Sequence, residues 1–518
     1  MQVKNTILKI FTALYIFSFY TWGASMVLSK ASISISYAIM GISWLCLGNF
    51  NQKWQNCIRY KKFIFPYLLI AILFLLGLLY TTDFKYAWDN IRVKIPFFLM
   101  PLIVFSGPKI PNKHFLFIVL IFVLASFSAS LIGYFKNWNL LNDASFDRRK
   151  LSPFISHIQL GQAISLSLVF IYFLVQQFTH KVKYLLILPV IWFVYFATQA
   201  HSLTLLLGIV GVGFILSMYY LSKKNTVFVY GFMVIFLGLI GFAGVKIKQV
   251  YDVVFIAKDI NVNYPTTSVN GNPYQAITGN ERENGYLVGA QIQLTELQNE
   301  WQKRSKIPLD SATNNYALHF TLIRFLTSKG LSKDSLGVSM LSDTEVAQIE
   351  KGVANVFYLQ HKGFLSRIHR SFWEIQSLQN NYYESSSLSL RFVFWQNGWQ
   401  IFKNNFWLGV GTGDVKLAYE DIYSKANIYN LPPNNQLRAH NQFLTNYLTL
   451  GFFGGTIFIL AWLYHFKNIW NHLPKLIALS IIWVINMGMI YEDLLETLSA
   501  IALVCFTTVF WLRNAQND

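Results

Sequence analysis

The sequence predicts an all-α polytopic membrane protein with about twelve transmembrane helices and a large, mainly helical loop domain facing outward. Three observations carry this. The 518 residues are 54% hydrophobic and 13% charged, with a mean hydropathy of +0.39. A soluble chain would carry about 25% charged residues. Apolar runs long enough to cross a bilayer recur along both ends of the chain, and one long polar stretch separates them.

The predicted spans lie near 7–29, 32–49, 63–80, 93–107, 114–135, 152–176, 182–199, 202–221, 226–247, 441–464, 474–490 and 496–513. They give a domain plan of 1–249 for spans one to nine, 250–440 for the loop domain and 441–518 for the last three spans. The first apolar run follows Lys4 and Lys9, as in a signal peptide. It is too long for a typical signal-peptide core and a second run follows at once, so it reads as a retained span.

An even number of spans puts both termini on one side. If that side is cytoplasmic, the inward pieces "KNTILK", "NQKWQNCIRYKK", "GPKIPNK", "HKVK", "SKKN" and "HFKNIWNHLPK" all carry Lys or Arg. Asp83, Asp89, Asp143, Asp147, Glu492, Asp493 and Glu496 then fall outside. The positive-inside rule favours this orientation. One outward loop departs from it, with Arg148, Arg149 and Lys150 in "DASFDRRKLSPFISH". They either snorkel at a helix end or meet an anionic ligand.

Between 250 and 440 there are 17 Lys/Arg and 16 Asp/Glu, whereas the remainder has 25 and 8. The basic excess therefore belongs to the membrane part, and a nucleic-acid-binding face is excluded. The loop domain has helical stretches. "NNYALHFTLIRFLTSKG" stops at Gly330, and Ser342 with Glu345 has capping-box spacing before a stop at Gly352. "SSSLSLRFVFWQNGWQIFKNN" places Leu388, Phe392, Trp395, Trp399 and Phe402 on one helical stripe, with Arg391 at its edge. The three cysteines, Cys46, Cys57 and Cys505, imply neither a disulfide framework nor a zinc site.

Polar groups at the mouth of the tenth span point to chemistry. His440 sits where a neutral imidazole can take a proton from a hydroxyl; the bland alternative is an interfacial histidine that caps a helix. Arg391 and Arg438 suit a diphosphate, since guanidinium stays charged and binds two oxygens at once. Surface ion pairs are the alternative. "FWLGVGTGDV" carries Gly409, Gly411 and Gly413, either as a nest of N–H groups for an anion or as a tight turn. It has no surrounding βαβ unit and is no dinucleotide motif. Glu492 and Glu496 share a face at i, i+4 if helical, with Asp493 between them. A wet loop is the favoured reading there, over a metal site or a glycosidase carboxylate pair.

Together, "SLRFVFWQNGWQIFKNNFWLGVGTGDV" and "LRAHNQFLTNYLTLGFFGG" resemble the O-antigen ligase and polymerase superfamily of bacterial inner-membrane glycosyltransferases. "SPFISHIQLG", "FTLIRFLTSKGL" and "YEDLLET" resemble a Bacteroidetes branch of it. The likeness runs from about 80 to 510. It implies a periplasmic loop domain, a donor glycan on undecaprenyl diphosphate, no cofactor and no metal. Family residues map onto Arg391 and His440 as catalytic. Arg438, Asn441, Gly411, Gly413 and Glu492 are expected to bind substrate. A further family arginine, often in a Ser-Arg pair, is missing; "ATQAHSLTLLLG" has His201 there, and Arg148 or Arg149 can stand in, with His157 and His201 also expected to bind substrate.

The implied reaction is inverting transfer from the polyprenyl diphosphate to a hydroxyl of lipid A–core, of another glycan or of a protein. The first makes a ligase, the second a polymerase and the third a protein O-oligosaccharyltransferase. A lipid-linked-glycan flippase is the alternative from another class. It should bear ionisable groups deep in several spans, whereas here the charges gather at span ends. Membrane lipids are the other expected partners.

Overall fold

The computed structural model describes residues 2–141, 147–179, 181–259, 262–277, 279–313, 316–361, 363–379, 389–425 and 437–516. Asp143 and Leu388 lie outside the described residues. The chain forms two compact units, one of Met1–Val229, Val393–Lys425 and Gln436–Asp518, the other of Tyr230–Phe392 and Ala426–Asn435.

The first unit begins with α1 (Gln2–Leu28), α2 (Lys30–Cys46), α3 (Phe50–Arg59), α4 (Lys61–Leu76) and α5 (Phe84–Ser106). It continues through α6 (Asn112–Lys136), α7 (His157–Gln177), α8 (Ile187–Ala200) and α9 (Leu203–Ser222). α10 (Thr226–Phe255) leads into the second unit, which holds α11 (Leu294–Arg304), α12 (Leu318–Ser328), α13 (Ser335–Ser339), α14 (Asp343–Glu350), α15 (Phe357–Gln360) and α16 (Phe364–Gln379). α17 (Ser389–Asn404) starts there and continues into the first unit, followed by α18 (Val415–Lys425), α19 (Gln442–His472), α20 (Lys475–Tyr491), α21 (Leu498–Cys505) and α22 (Trp511–Asn514). The described strands are two short antiparallel pairs, Arg282–Glu283 with Tyr286–Leu287 and Ala312–Thr313 with Tyr316–Ala317.

Each of the twelve predicted stretches falls on a helix. Among the described residues, however, seven helices are long and apolar enough to cross a membrane, or eight if the bent pair α2–α3 is one span. The shortfall has physical reasons. α2, α4 and α20 have 17, 16 and 17 residues. α5 is long enough but carries Lys85, Asp89, Arg92 and Lys94. The last apolar helix, Leu498–Asn514, is also short, and it contains a π-helical turn at Phe506–Phe510.

The first unit packs α1 on α2 and α6, α7 on α6, α9 and α20, and α4 on α5 and α19. α21 lies against α5. Phe19, Trp22, Phe122, Phe506 and Phe510 form part of its buried aromatic core. Such rings bury large apolar area and favour offset or edge contacts.

The tenth span differs from expectation. α19 is broken at Gly451, with φ 67° and ψ −168°, a conformation that suits glycine. Residues 442–450 form a separate short helix, and the apolar span proper starts after the break. The backbone groups released there are paired by the glycine loop. Val410 N donates to Leu448 O at 2.9 Å, Gly411 N to Thr449 O at 3.0 Å, and Phe452 N to Phe406 O at 2.7 Å. An unpaired amide in this setting would cost several kcal/mol, on the order of 2–7.

The predicted stripe on α17 holds at Trp395 and Phe402, which pack in one core, and is corrected at Phe392 and Trp399. Phe392 and Trp399 are exposed, while Leu390, Val393, Phe394, Ile401 and Phe402 are buried. The aromatic residues misled because the inward face mixes aliphatic and aromatic side chains.

The second unit has its own core, with Leu297, Trp301, Leu322, Leu326, Val338 and Ile349 buried together. The Ser342–Glu345 capping box forms. Gly330 and Gly352 end their helices at φ 70° and 87°.

Candidate active site

His440 lies just before α19, in left-handed backbone with φ 46°. Asn441 follows as the N-cap, its side chain accepting from Leu444 N at 3.1 Å. Capping therefore falls to Asn441, and the imidazole is turned elsewhere. Two bonds hold the segment, and a third ties α18 to α17 beside it. Trp395 Nε1 donates to Ala439 O at 2.9 Å, Tyr423 Oη to Leu437 O at 2.8 Å, and Tyr419 Oη to Phe394 O at 3.0 Å. The Phe394 ring lies 6.0 Å from the His440 ring.

The partner of His440 is Glu492. Its Oε1 lies 3.2 Å from Nδ1, with 30% of the histidine side chain and 16% of the glutamate exposed. A carboxylate accepts, so Nδ1 carries the hydrogen and Nε2 keeps its lone pair in the neutral ring. This is the tautomer a general base needs. It follows from the partner, which fixes the other nitrogen's role.

The 492–496 segment is no wet loop. Glu492 is extended at the end of α20, with φ −154°, and Leu494–Glu496 is a single 3-10 turn. Glu492 and Glu496 therefore do not share one α-helical face. Asp493 and Glu496 are buried. Thr445 Oγ1 donates to Asp493 Oδ1 at 2.7 Å, and Leu495 N donates to Gln442 Oε1 at 2.7 Å. The first turns of α19 thus pin the carboxylate segment under His440.

Glu496 gathers cations from two directions. Lys94 Nζ reaches Oε1 at 2.6 Å and Asn90 Nδ2 reaches Oε2 at 2.6 Å. Arg438 Nη1 lies 3.4 Å from Oε2 and donates to Tyr86 Oη at 2.7 Å. Tyr86, Asn90 and Lys94 recur every four residues on α5, one stripe of the helix. Burial alone would raise the Glu496 pKa, but Lys94 and Arg438 outweigh it and hold the carboxyl below its usual range. Burial would lower Arg438, yet Glu496 and Asp493 raise it. Asp493 is pushed up, by burial first.

The sequence named His440, Arg438 and Glu492, and the structure brings all three together. It missed Lys94, Asn90 and Tyr86. The available signal was a lysine within the apolar run "VKIPFFLMP", an expensive placement without a partner.

The remaining expected residues are placed as follows. Gly411, at φ 94°, and Gly413 lie in the loop that mends α19. Gly413 N donates to Thr81 Oγ1 at 2.7 Å, and a Cβ on Gly413 would fall 2.3 Å from Asp83 O. Their N–H groups serve packing, so the turn reading replaces the anion nest. Arg149 Nε bonds both oxygens of Asp147, at 2.9 and 3.0 Å. Arg148 Nη2 donates to Leu141 O at 2.5 Å. His157 opens α7, and His201 ends α8 at φ 48°. Arg391 belongs to the second unit, in the first turn of α17. Within that unit the pKa of Arg367 is lowered, by partial desolvation first and then by Arg391 and Arg370 as like charges, while Glu374 opposes them. Arg367 is thus a cationic neighbour of Arg391.

Among the described residues, no cluster of three or more His, Cys, Asp or Glu has the arrangement of a metal site. Residues 352–459 match the family model described as O-antigen ligase. No curated protein matches the chain.

Proposed function

We propose, from the match of residues 352–459 to the family model described as O-antigen ligase, that the chain transfers a glycan from undecaprenyl diphosphate to an acceptor hydroxyl at the periplasmic face of the inner membrane. Ligation to lipid A–core is the acceptor reading we favour. The observation that supports it best is the His440–Glu492 pair at 3.2 Å, beside Arg438 and Glu496.

In this mechanism Glu492 accepts the Nδ1 hydrogen and holds the ring. His440 Nε2 takes the proton of the acceptor hydroxyl as its oxygen forms a bond to the anomeric carbon. The bond from that carbon to the diphosphate oxygen breaks, and the electron pair leaves with the diphosphate. One displacement inverts the anomeric centre. Arg438 meets the developing negative charge, as guanidinium does in other phosphoryl-binding sites. Arg391 takes the second cationic role through its place in the family series. The guanidinium groups take the part a divalent cation plays in many glycosyltransferases, so EDTA should leave the rate unchanged.

The layout of the donor agrees with a membrane chain of this kind. A lipid tail belongs in the bilayer and a glycan in water, which puts the diphosphate at the boundary. No nucleotide is present outside the cytoplasm, so the sugar–diphosphate bond itself drives transfer.

The test is reconstitution in proteoliposomes with lipid-linked glycan and three acceptors offered separately: lipid A–core, a second lipid-linked glycan and a Ser/Thr peptide. Product with lipid A–core alone supports ligation; product with another acceptor reassigns it to polymerase or protein O-oligosaccharyltransferase. No product with any acceptor, combined with lipid-linked glycan held inside cells of a deletion strain, would make the chain a flippase.

A further inference from the structure

We propose that α3 lies in the plane of the membrane boundary, with Phe50, Trp54 and Ile58 in the acyl layer and Arg59, Lys61 and Lys62 at the lipid phosphates. This inference rests on the chain being a multi-pass membrane protein and is independent of which acceptor the site uses.

Three faces of α3 carry the argument. At about 100° per residue from Phe50, Phe50, Trp54 and Ile58 fall at about 0°, 40° and 80°. Asn51, Gln55, Arg59 and Gln52 cover about 100° to 200°. Asn56, Lys53 and Cys57 cover about 240° to 340°. The last face is docked on protein. Asn56 Nδ2 donates to Ser106 O at 3.2 Å, Trp44 Nε1 donates to Ser106 Oγ at 2.9 Å, and the buried Lys53 ammonium bonds Trp44 O. The first face is apolar and uncovered, with Phe50, Trp54 and Ile58 exposed by 57, 69 and 52%. The second is polar and exposed. A helix divided between protein, oil and water in this way fits a boundary and no single solvent.

The level of α3 is fixed by its neighbours. It turns by 114° from α2, through left-handed Gly48 and Asn49. α2 ends just before it, and α4 begins just after it at Lys61. α5 ends at Ser106, the residue that Asn56 reaches. α19 ends at His472, whose Nε2 takes Lys62 Nζ at 2.8 Å. Arg513, in the last turn of the final helix, donates to Tyr60 Oη at 3.3 Å. Five helix termini therefore converge on the plane of α3. A re-entrant segment would instead dip between helices partway along their length.

Charge agrees with this position. Arg59, Lys61 and Lys62 are exposed at the end of α3, and the first acidic residue of the chain is Asp83. Basic side chains near a leaflet surface are attracted to anionic headgroups, and tryptophan concentrates at that depth. Lys53 is different. It stacks on Trp44 and Phe50 at 4.4 and 4.6 Å and closes the C-terminal end of α2.

Nitroxide depth measurements test the proposal on the full chain in bilayers of phosphatidylethanolamine and phosphatidylglycerol. The background is Cys46→Ser, Cys57→Ala, Cys505→Ala, with single cysteines Trp54→Cys, Ile58→Cys, Gln52→Cys and Gln55→Cys. Labels replacing Trp54 and Ile58 should be relaxed more by oxygen than by a water-soluble nickel chelate, and those replacing Gln52 and Gln55 the reverse. Equal relaxation of all four by nickel would lift α3 off the membrane. Oxygen dominance at all four would make it re-entrant. Shielding of the Trp54 and Ile58 sites from both reagents would mean protein covers the face. Each of these overturns the proposal. A second measurement keeps the native cysteines: the fluorescence difference between wild type and Trp54→Phe should be quenched more by lipid brominated near the headgroup than near the chain end. The opposite order overturns the proposal.

Discussion

At the scale of single residues, the proposed mechanism turns on the orientation of one imidazole. His440 gains it from Glu492, 52 positions away in sequence, because the carboxylate fixes which nitrogen holds the hydrogen. His440→Ala should lower transfer by about 10²–10⁴-fold, the usual range for a lost general base. Glu492→Gln keeps shape but loses the charge that steadies the ring as it takes a proton. It should lower kcat by about tenfold or more while leaving donor KM near wild type, since a partner of the base acts mainly in the transition state. Both are read in proteoliposomes at matched protein content; unchanged turnover in Glu492→Gln would remove it from the mechanism. His440 and Arg438 were legible in sequence because polar groups at the mouth of an apolar run stand out. Glu492 was legible as a residue but not as a partner. Its pairing depends on how two helix ends meet, which no local pattern records.

At the scale of elements, two devices hold the site, and neither is a motif in the usual sense. One is the stripe Tyr86, Asn90 and Lys94 on α5 that clamps Glu496. Breaking a buried ion pair costs about 3–5 kcal/mol, whereas replacing both charges can be nearly neutral. Lys94→Met should therefore lower the thermal midpoint in detergent, and Lys94→Met with Glu496→Gln should recover much of the loss. A double variant no better than the single one would deny the pairing its energetic role. The other device is the joint between the glycine loop and the break in α19. A Cβ on Gly451 would lie 2.4 Å from the Trp407 carbonyl carbon, and one on Gly409 would lie 2.5 Å from Gly451 N. Gly451→Ala should destabilise by at least about 1–3 kcal/mol, from the strained backbone before any clash is counted. Gly238, in α10 with open space around its α-carbon, is the control. Gly238→Ala should be neutral or gain up to about 1 kcal/mol of helix propensity. The glycine spacing was visible in sequence, but its purpose was not, because the backbone groups it mends belong to residues about forty positions later. The exposed aromatics of α17 failed as a stripe for a related reason: lipid and protein both accept a Trp or Phe, so hydrophobicity alone cannot say which face turns inward.

At the scale of the whole molecule, charge is distributed by purpose. The membrane part carries nearly all of the net +18, and the polar stretch 250–440 is almost balanced. Within the second unit the balance is local. Glu296 accepts from Ser268, Asn270, Asn272 and Ser335. Burial alone would raise its pKa, but these donors outweigh it and bring it down to about 2. An unfolded glutamate titrates near about 4.3. The folded value is the lower one, so the stabilisation is complete above the unfolded pKa and is lost as pH falls through the folded one. Acid unfolding of this unit, followed by the fluorescence of the buried Trp301, should begin below about pH 4.3. It should shift in Glu296→Gln, which accepts fewer of those bonds; an identical acid transition in the variant would show that another carboxylate governs it. The basic excess outside this region makes the last prediction. The rule that short basic loops stay cytoplasmic acts on single loops near span ends, so "SKKN" at 222–225 and the tail after Arg513 should stay inside while the balanced region faces out. A fluorescent protein fused after Asn514 should fold and emit in cells, and alkaline phosphatase inserted after Lys351 should be active. The reverse pattern would place His440 on the side where nucleotide-activated sugars are available. It would also separate the site from any donor presented on the outer leaflet, whatever the geometry of the His440–Glu492 pair.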